Sequence, residues 1–231
     1  GIKDFGGYQN MGFFNAMYHH TINDNHQFTV GLSGRLDDVQ SQYKDHSTIA
    51  PDRFRTWNSS VKEEVMGAYG EYTYTLDEKI SLVAGLRADH SSLYGWQVAP
   101  RASFKYSFTD KTIVRLTGGR GFRTPYIITD NLGVMSSGRG LNISDKITAE
   151  DAWTFGGNFT QYFRIGDREN NYFSFDYFRT SFNHKVVYDW DTDMDNVVVY
   201  DFRDATAGTN RAYTDTYQFD LSLEPIERFT A

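Results

Sequence analysis

Asp189, Asp191, Asp193 and Asp195 stand at every second position of one short polar run, which ends at Asn196. Carboxylates spaced this way in a loop can converge several oxygens on Ca²⁺. The EF-hand form of that chemistry is incomplete, because the run has no glycine at its sixth position and no closing glutamate. An acidic loop that is simply solvated accounts for the same residues. A second group follows Thr124-Pro125, where Arg123, Tyr126, Asn131, Arg139 and Asn142 bring guanidinium, phenol and amide groups to one polar segment jointed by Gly133, Gly138 and Gly140. Those groups suit capture of a polar, ring-containing ligand. His19 and His20 are adjacent, so on a strand they point to opposite faces and cannot share one metal. No Ser/His/Asp arrangement, paired-carboxylate site or phosphate-cradling glycine loop ahead of a helix is present, which argues against an enzyme. A membrane-embedded hydrolase would need a nucleophile at the rim with a histidine beside it.

The elements that must carry these groups are strands. Phe28, Val30, Leu32, Gly34 and Leu36 alternate with Thr29, Gly31, Ser33, Arg35 and Asp37, the period of a strand with one apolar face. The same period runs through 64–76, and through Ile80, Leu82, Ala84, Leu86 and Ala88, where Val83 alone breaks it. Ala102, Phe104, Tyr106 and Phe108 repeat it, and so do Trp153, Phe155, Phe159 and Phe163. Phe173, Phe175 and Tyr177 begin a further strand that reads on through Val186-Val187, followed by strands at 197–200 and 213–223. Arg35, Arg87, Arg101 and Arg115 fall in the polar phase, where they can pair with Asp37, Asp89 and similar residues or line a path for anionic ligands.

Short polar turns near 23–25, 77–79, 109–111 and 166–170 alternate with longer connections. These are 40–60 with Pro51, 124–150, the acidic loop, and a stretch containing Gly208; the connection at 93–100 is shorter. Short turns at one end and long loops at the other is the layout of an antiparallel transmembrane β-barrel. A soluble sandwich or lipocalin-like barrel shares the period but seldom the asymmetry. The fold class is therefore all-β, with about nine or ten strands of a larger barrel.

Composition agrees. Of 231 residues, 18 are Phe and 16 Tyr, while Cys is 0, so neither a disulfide framework nor a thiolate metal site can form. The formal charge of −7 and the lack of any basic block exclude nucleic acid as a partner. Mean hydropathy is −0.56, and no run of about 18 apolar residues could make a membrane helix, a test that a β-barrel escapes. The start at Gly1 shows no basic and apolar leader, and the end at Ala231 falls within a strand or turn; both read as cut points in a longer chain.

The run Gly121-Phe122-Arg123-Thr124-Pro125, after a strand and before a long loop, resembles the barrel of TonB-dependent outer-membrane receptors. Ala149-Glu150-Asp151-Ala152-Trp153-Thr154-Phe155-Gly156 is similar to that family's opening of the next strand. Asp176-Tyr177-Phe178-Arg179-Thr180-Ser181-Phe182 is similar to the strand after it, one residue shorter between Asp and Thr. The resemblance covers nearly the whole of 1–231 as a segment of one barrel domain. It implies a barrel of about 22 strands, with the plug and the C-terminal strands outside this segment.

It further implies residence in the outer membrane of a Gram-negative bacterium, surrounded by lipid. The implied activity is import of a scarce ligand such as a ferric siderophore or cobalamin, driven by the TonB complex through the plug. Cobalamin receptors of the family hold Ca²⁺ with loop aspartates, which keeps that ion in view for Asp189, Asp191, Asp193 and Asp195. Its haem receptors carry a loop histidine that 126–150 lacks. The alternatives are a passive outer-membrane channel and a soluble β-sheet binding module.

Overall fold

The structure, a computed structural model, describes residues 3–46, 56–137, 139–166, 168–204 and 212–224. Pro51, Gly138 and Gly208 lie outside them. The strands are β1 (Lys3–Asn23), β2 (His26–Asp45), β3 (Thr56–Leu76), β4 (Ile80–Ser91), β5 (Gly95–Thr109), β6 (Thr112–Arg123), β7 (Gly140–Ile143), β8 (Glu150–Ile165), β9 (Arg168–His184), β10 (Val186–Asp189), β11 (Asn196–Asp201) and β12 (Ala212–Ser222). A single helical turn, α1 (Gly133–Ser136), precedes β7.

Nine strands form one antiparallel sheet in the order β1-β2-β3-β4-β5-β6-β8-β9-β12, and its two outer strands do not pair with each other. This is an open wall of a barrel, as the alternation predicts.

The short turns are made by their own side chains. Asn23 Oδ1 accepts the N–H groups of Asn25 and His26, both at 3.0 Å. Thr109 Oγ1 does the same for Lys111 and Thr112, at 3.2 and 3.1 Å. Asp77 and Glu78 take positive φ of 47° and 56°, and Gly166 takes 57°. Aspartate and glycine tolerate the left-handed region that a tight reversal needs, and the turn carries Glu78 into it beside Asp77.

Two boundaries differ from the sequence reading. Within the polar segment 40–60 the described residues are almost all strand, since β2 continues to Asp45 and β3 begins at Thr56, with Gln40 facing Ser60 and Gln42 facing Asn58. Ladder pairing between neighbours, rather than an apolar face, holds these polar residues extended. Residues 95–100 are also strand rather than connection, so only 92–94 turn the chain. Pro100 fits because the β5–β6 ladder stops at Arg101 opposite Gly119, where no N–H is required of it.

One face of the sheet is apolar and the other is lined with ion pairs. Arg35 Nε stands 3.2 Å from Asp37, and Arg87 Nε stands 2.6 Å from Asp89, the pairings the sequence predicts. Arg101 pairs with Glu71 instead, and Arg115 donates to Asn158 at 3.1 Å. Large inward side chains lie over glycines of the next strand. A Cβ on Gly67 would stand 1.7 Å from Asp89 Oδ1, and one on Gly31 would stand 2.4 Å from the Tyr69 ring. These glycines let polar side chains lie flat along the wall.

Candidate functional site

Above the long-loop end, two connections fold into one cap. β7, from the loop after β6, pairs in parallel with β11, and β10 pairs antiparallel with β11 on its other edge. Val134, Val186, Val197 and Val199 are buried between them, packed by Ile127, Leu141, Ile143, Ile147, Tyr188 and Trp190. The Tyr188 hydroxyl donates to the Ile127 carbonyl at 2.6 Å, and burial beside the carboxylates of Asp130 and Glu150 pushes its pKa up to about 12. Residues 124–149 are thus not the structureless loop the sequence reads. Nor does β9 run through Val186: it stops at His184, and Val186 starts a strand of the cap.

The cap's base stands over the polar face. Thr124, Pro125 and Ile128 are buried there, and a cavity of about 450 Å³ opens beside them. Its lining includes Phe13, Arg35, Glu63, Arg87, Gln97 and Tyr126. Glu63 lies at its wall, only 2% exposed, and accepts hydrogen bonds from Ser91 Oγ at 2.5 Å, Thr124 Oγ1 at 2.7 Å and Arg35 Nη2 at 2.8 Å. Oδ1 of Asp37 and Oδ1 of Asp89 are buried without a hydrogen-bond partner among the described residues. The Tyr126 hydroxyl faces Asp37 Oδ2 at 3.5 Å, and burial, with the charges of Asp37 and Glu63, raises its pKa. It therefore serves as a neutral donor at physiological pH. Tyr94, on the 92–94 turn, is raised likewise by burial and by Glu63.

Of the loop residues singled out in the sequence, Arg123 and Tyr126 reach this cavity. Arg123 is held at the end of β6 by Glu150 Oε2 at 2.7 Å and Asp130 Oδ2 at 3.0 Å. Asn131, Arg139 and Asn142 are not among its lining residues. The Asn131 carbonyl accepts the Val134 N–H at 3.1 Å at the start of α1, Arg139 donates to the Trp190 carbonyl across the cap, and Asn142 is an exposed position of β7 opposite Val198. These three belong to the cap's own architecture. Sequence reasoning missed Glu63 and Thr124. The available signal for Glu63 was its place in the inward phase of β3, two positions from Val65, among residues read as the edge of a loop.

The acidic run closes turns on its own backbone. Asp189 Oδ1 accepts the N–H groups of Asp191 and Thr192 at 2.9 and 3.0 Å, and its Oδ2 accepts the Thr192 hydroxyl at 2.6 Å. Asp193 Oδ1 accepts the N–H groups of Asp195 and Asn196 at 2.8 and 3.2 Å. Among the described residues no three carboxylate or imidazole groups come together as a metal would require. In this arrangement Asp189 and Asp193, the first and third of the aspartates Asp189, Asp191, Asp193 and Asp195, form turns. Their spacing builds two successive side-chain-closed turns.

Alongside this sheet of antiparallel strands, with short turns at one end and a folded cap at the other, the family model of the TonB dependent receptor-like β-barrel matches residues 2–223. The chain belongs to that family. Similar solved structures are receptor barrels as well. The siderophore receptor PirA from Pseudomonas aeruginosa superposes with a TM-score of 0.62 at 18% identity, over 99% of this chain and 41% of that one. A variant of the ferric enterobactin receptor PfeA from the same organism, in complex with enterobactin, gives 0.65 at 13% identity, over 97% and 35%. PirA from Acinetobacter baumannii gives 0.53 at 13% identity, over 96% and 35%. No curated protein sequence matches significantly. The chain thus spans less than half the length of these receptor structures. Members of the TonB-dependent receptor family are transporters and receptors of the outer membrane.

Proposed function

We propose that residues 1–231 are one stretch of the barrel wall of a single TonB-dependent receptor domain. The rest of that receptor supplies the plug and the remaining strands. The receptor sits in outer-membrane lipid of a Gram-negative bacterium and imports a scarce nutrient, a ferric siderophore or cobalamin, with energy delivered by the TonB complex through the plug. The match over residues 2–223 is the observation that carries this reading, and the siderophore receptors among the similar structures favour a metal chelate. The cavity at the base of the cap adds a place for capture. Arg123 and Tyr126 offer a cation and a neutral donor there, Phe13 offers an aromatic face, and a chelate carrying oxygen-rich rings would use all three.

The test is binding and uptake by the full-length receptor. Ferric enterobactin and cyanocobalamin are titrated onto purified receptor in detergent, with radiolabelled uptake measured in cells. Expected is saturable binding of one probe, a loss of about tenfold, or about 1.4 kcal/mol, on Tyr126→Ala, and uptake that stops when the proton gradient is collapsed. Uptake indifferent to the gradient would favour the passive channel.

A further inference from the structure

Glu63 ties together parts of the molecule that are distant in sequence. It sits on β3; Arg35 comes from β2, Ser91 from the end of β4, and Thr124 from the base of the cap, at sequence separations of 28, 28 and 61. Ser91 Oγ also accepts the N–H groups of Leu93 and Tyr94 at 3.2 and 3.3 Å, so the rim turn hangs on the same group. A carboxylate is the group this arrangement demands. All three side chains donate to it, and an ionised carboxylate accepts on both oxygens without offering a competing donor. A carboxamide would turn an NH₂ toward one of these donors. An aspartate, shorter by a methylene, could not reach both the strand and the cap.

Thr124 lies between Arg123 and Tyr126, the two loop side chains at the cavity. Fixing its hydroxyl therefore fixes where the cap begins and where those two side chains stand. We propose that Glu63 is the positioning residue of this site: through Thr124 it sets the place of the cap over the cavity. The inference deepens the capture reading above and rests on it for ligand binding, but its structural half can be measured without a ligand.

The chain contains 0 cysteines. Spin labels introduced by Ser136→Cys on the exposed face of α1 and Lys111→Cys at a short turn of the opposite end report the height of the cap over the wall. Any cysteine elsewhere in the full-length receptor is first replaced. The distance distribution is expected to be narrow in the parent protein and in Thr124→Ser, which keeps the hydroxyl. It is expected to broaden in Glu63→Gln and in Thr124→Val, and no further in the double variant, because both remove the same tie. Thr124→Val keeps the side chain's volume, so it remains informative if Glu63→Gln does not assemble; assembly is read as heat-modifiable mobility on gels. Ferric enterobactin binding is expected to fall at least fivefold in both variants and to return in Thr124→Ser. Narrow distributions in assembled Glu63→Gln and Thr124→Val would overturn the proposal. Broadened distributions with unchanged binding would uphold positioning by Glu63 and count against the cavity as the capture site, so the two readings fail separately.

Discussion

Asp189 and Asp193 show how one residue type can serve two chemistries at the same spacing. A carboxylate at every second position can surround a cation, or it can close successive turns by accepting N–H groups two and three residues ahead. The sequence leaves both open because the choice lies in the backbone dihedrals of 189–196. In the structure the turns prevail. The Thr192 hydroxyl, with the N–H groups of Asp191 and Thr192, holds the Asp189 carboxyl below its ordinary 3.8; the Asn196 side chain and the Asp195 N–H do the same for Asp193. A lowered carboxyl pKa supports the folded turn wherever the group is ionised, so that support is complete above about pH 4 and is lost as pH falls through the lowered values. Amide exchange at 191, 192, 195 and 196, corrected for its intrinsic pH dependence, is expected to quicken only below that range. Asp189→Ala and Asp193→Ala should quicken it at pH 7, whereas the asparagine variants, which keep an accepting oxygen, should not. Millimolar calcium is expected to leave these rates unchanged. Slower exchange in calcium would establish the cation site.

At the scale of elements, the barrel strands were legible and the assembly of the cap was not. Alternation marks β2, β3, β4 and β8 because each must show a different chemistry to its two sides. The strand at 197–200 corresponds to β11 and the apolar Val186-Val187 to the start of β10, but β7 is only four residues long and finds its partner more than fifty positions away, so neither periodicity nor turn chemistry announces it or the cap sheet it completes. Glu63 was hidden for a related reason: the residues around it are polar on both faces and read as loop until a neighbouring ladder is seen. The two connections depend on each other. Val197 and Val199 are 0% exposed, and β7 and Val134 supply part of their cover. Deleting 127–147 would therefore remove more than one loop, and a binding loss in that deletion could arise from either connection. A sharper change is Val199→Asp, which places an unpaired carboxylate among apolar side chains and should cost several kcal/mol of local cap stability. Limited proteolysis of the full-length receptor is expected to cut Val199→Asp in both 127–147 and 186–201, with heat-modifiable mobility unchanged. Cleavage confined to 186–201 would show that the connections fold separately.

For the molecule as a whole, the outward phase must meet a solvent that the inward phase never sees. Climbing from the short turns, β2 presents Phe28, Val30, Leu32, Gly34 and Leu36 before its first charge at Asp38. β3 presents Tyr72, Gly70, Ala68 and Met66 before Glu64, and β9 presents Phe173, Phe175 and Tyr177 before Arg179. Large apolar side chains on this face stand bare, with Met66 70%, Leu32 61% and Leu86 55% exposed, while the opposite phase carries the ion pairs Arg35–Glu63, Arg87–Asp89 and Arg101–Glu71. Water would leave that apolar face uncovered; hydrocarbon covers it, and the first charges then fall at the level of the lipid headgroups. Asp38 meets Lys62 at 3.4 Å and Arg179 meets Asp215 at 2.7 Å at that level, so two of these three charges arrive at the lipid already paired. Ala84 lies well inside the apolar belt, opposite Tyr72 on β3 and Ala102 on β5, whereas Ser103 is in the contrary phase beside Val83. Ala84→Arg should therefore cost the full-length barrel about 2–4 kcal/mol in lipid, the range for a cation near the bilayer midplane. Ser103→Arg joins a face that already holds Arg101 and Arg115 and should cost far less. Reversible urea unfolding in lipid vesicles, followed by tryptophan emission, measures both. Equal costs for the two variants would mean that the apolar phase does not face the membrane, and the barrel reading would fail with it.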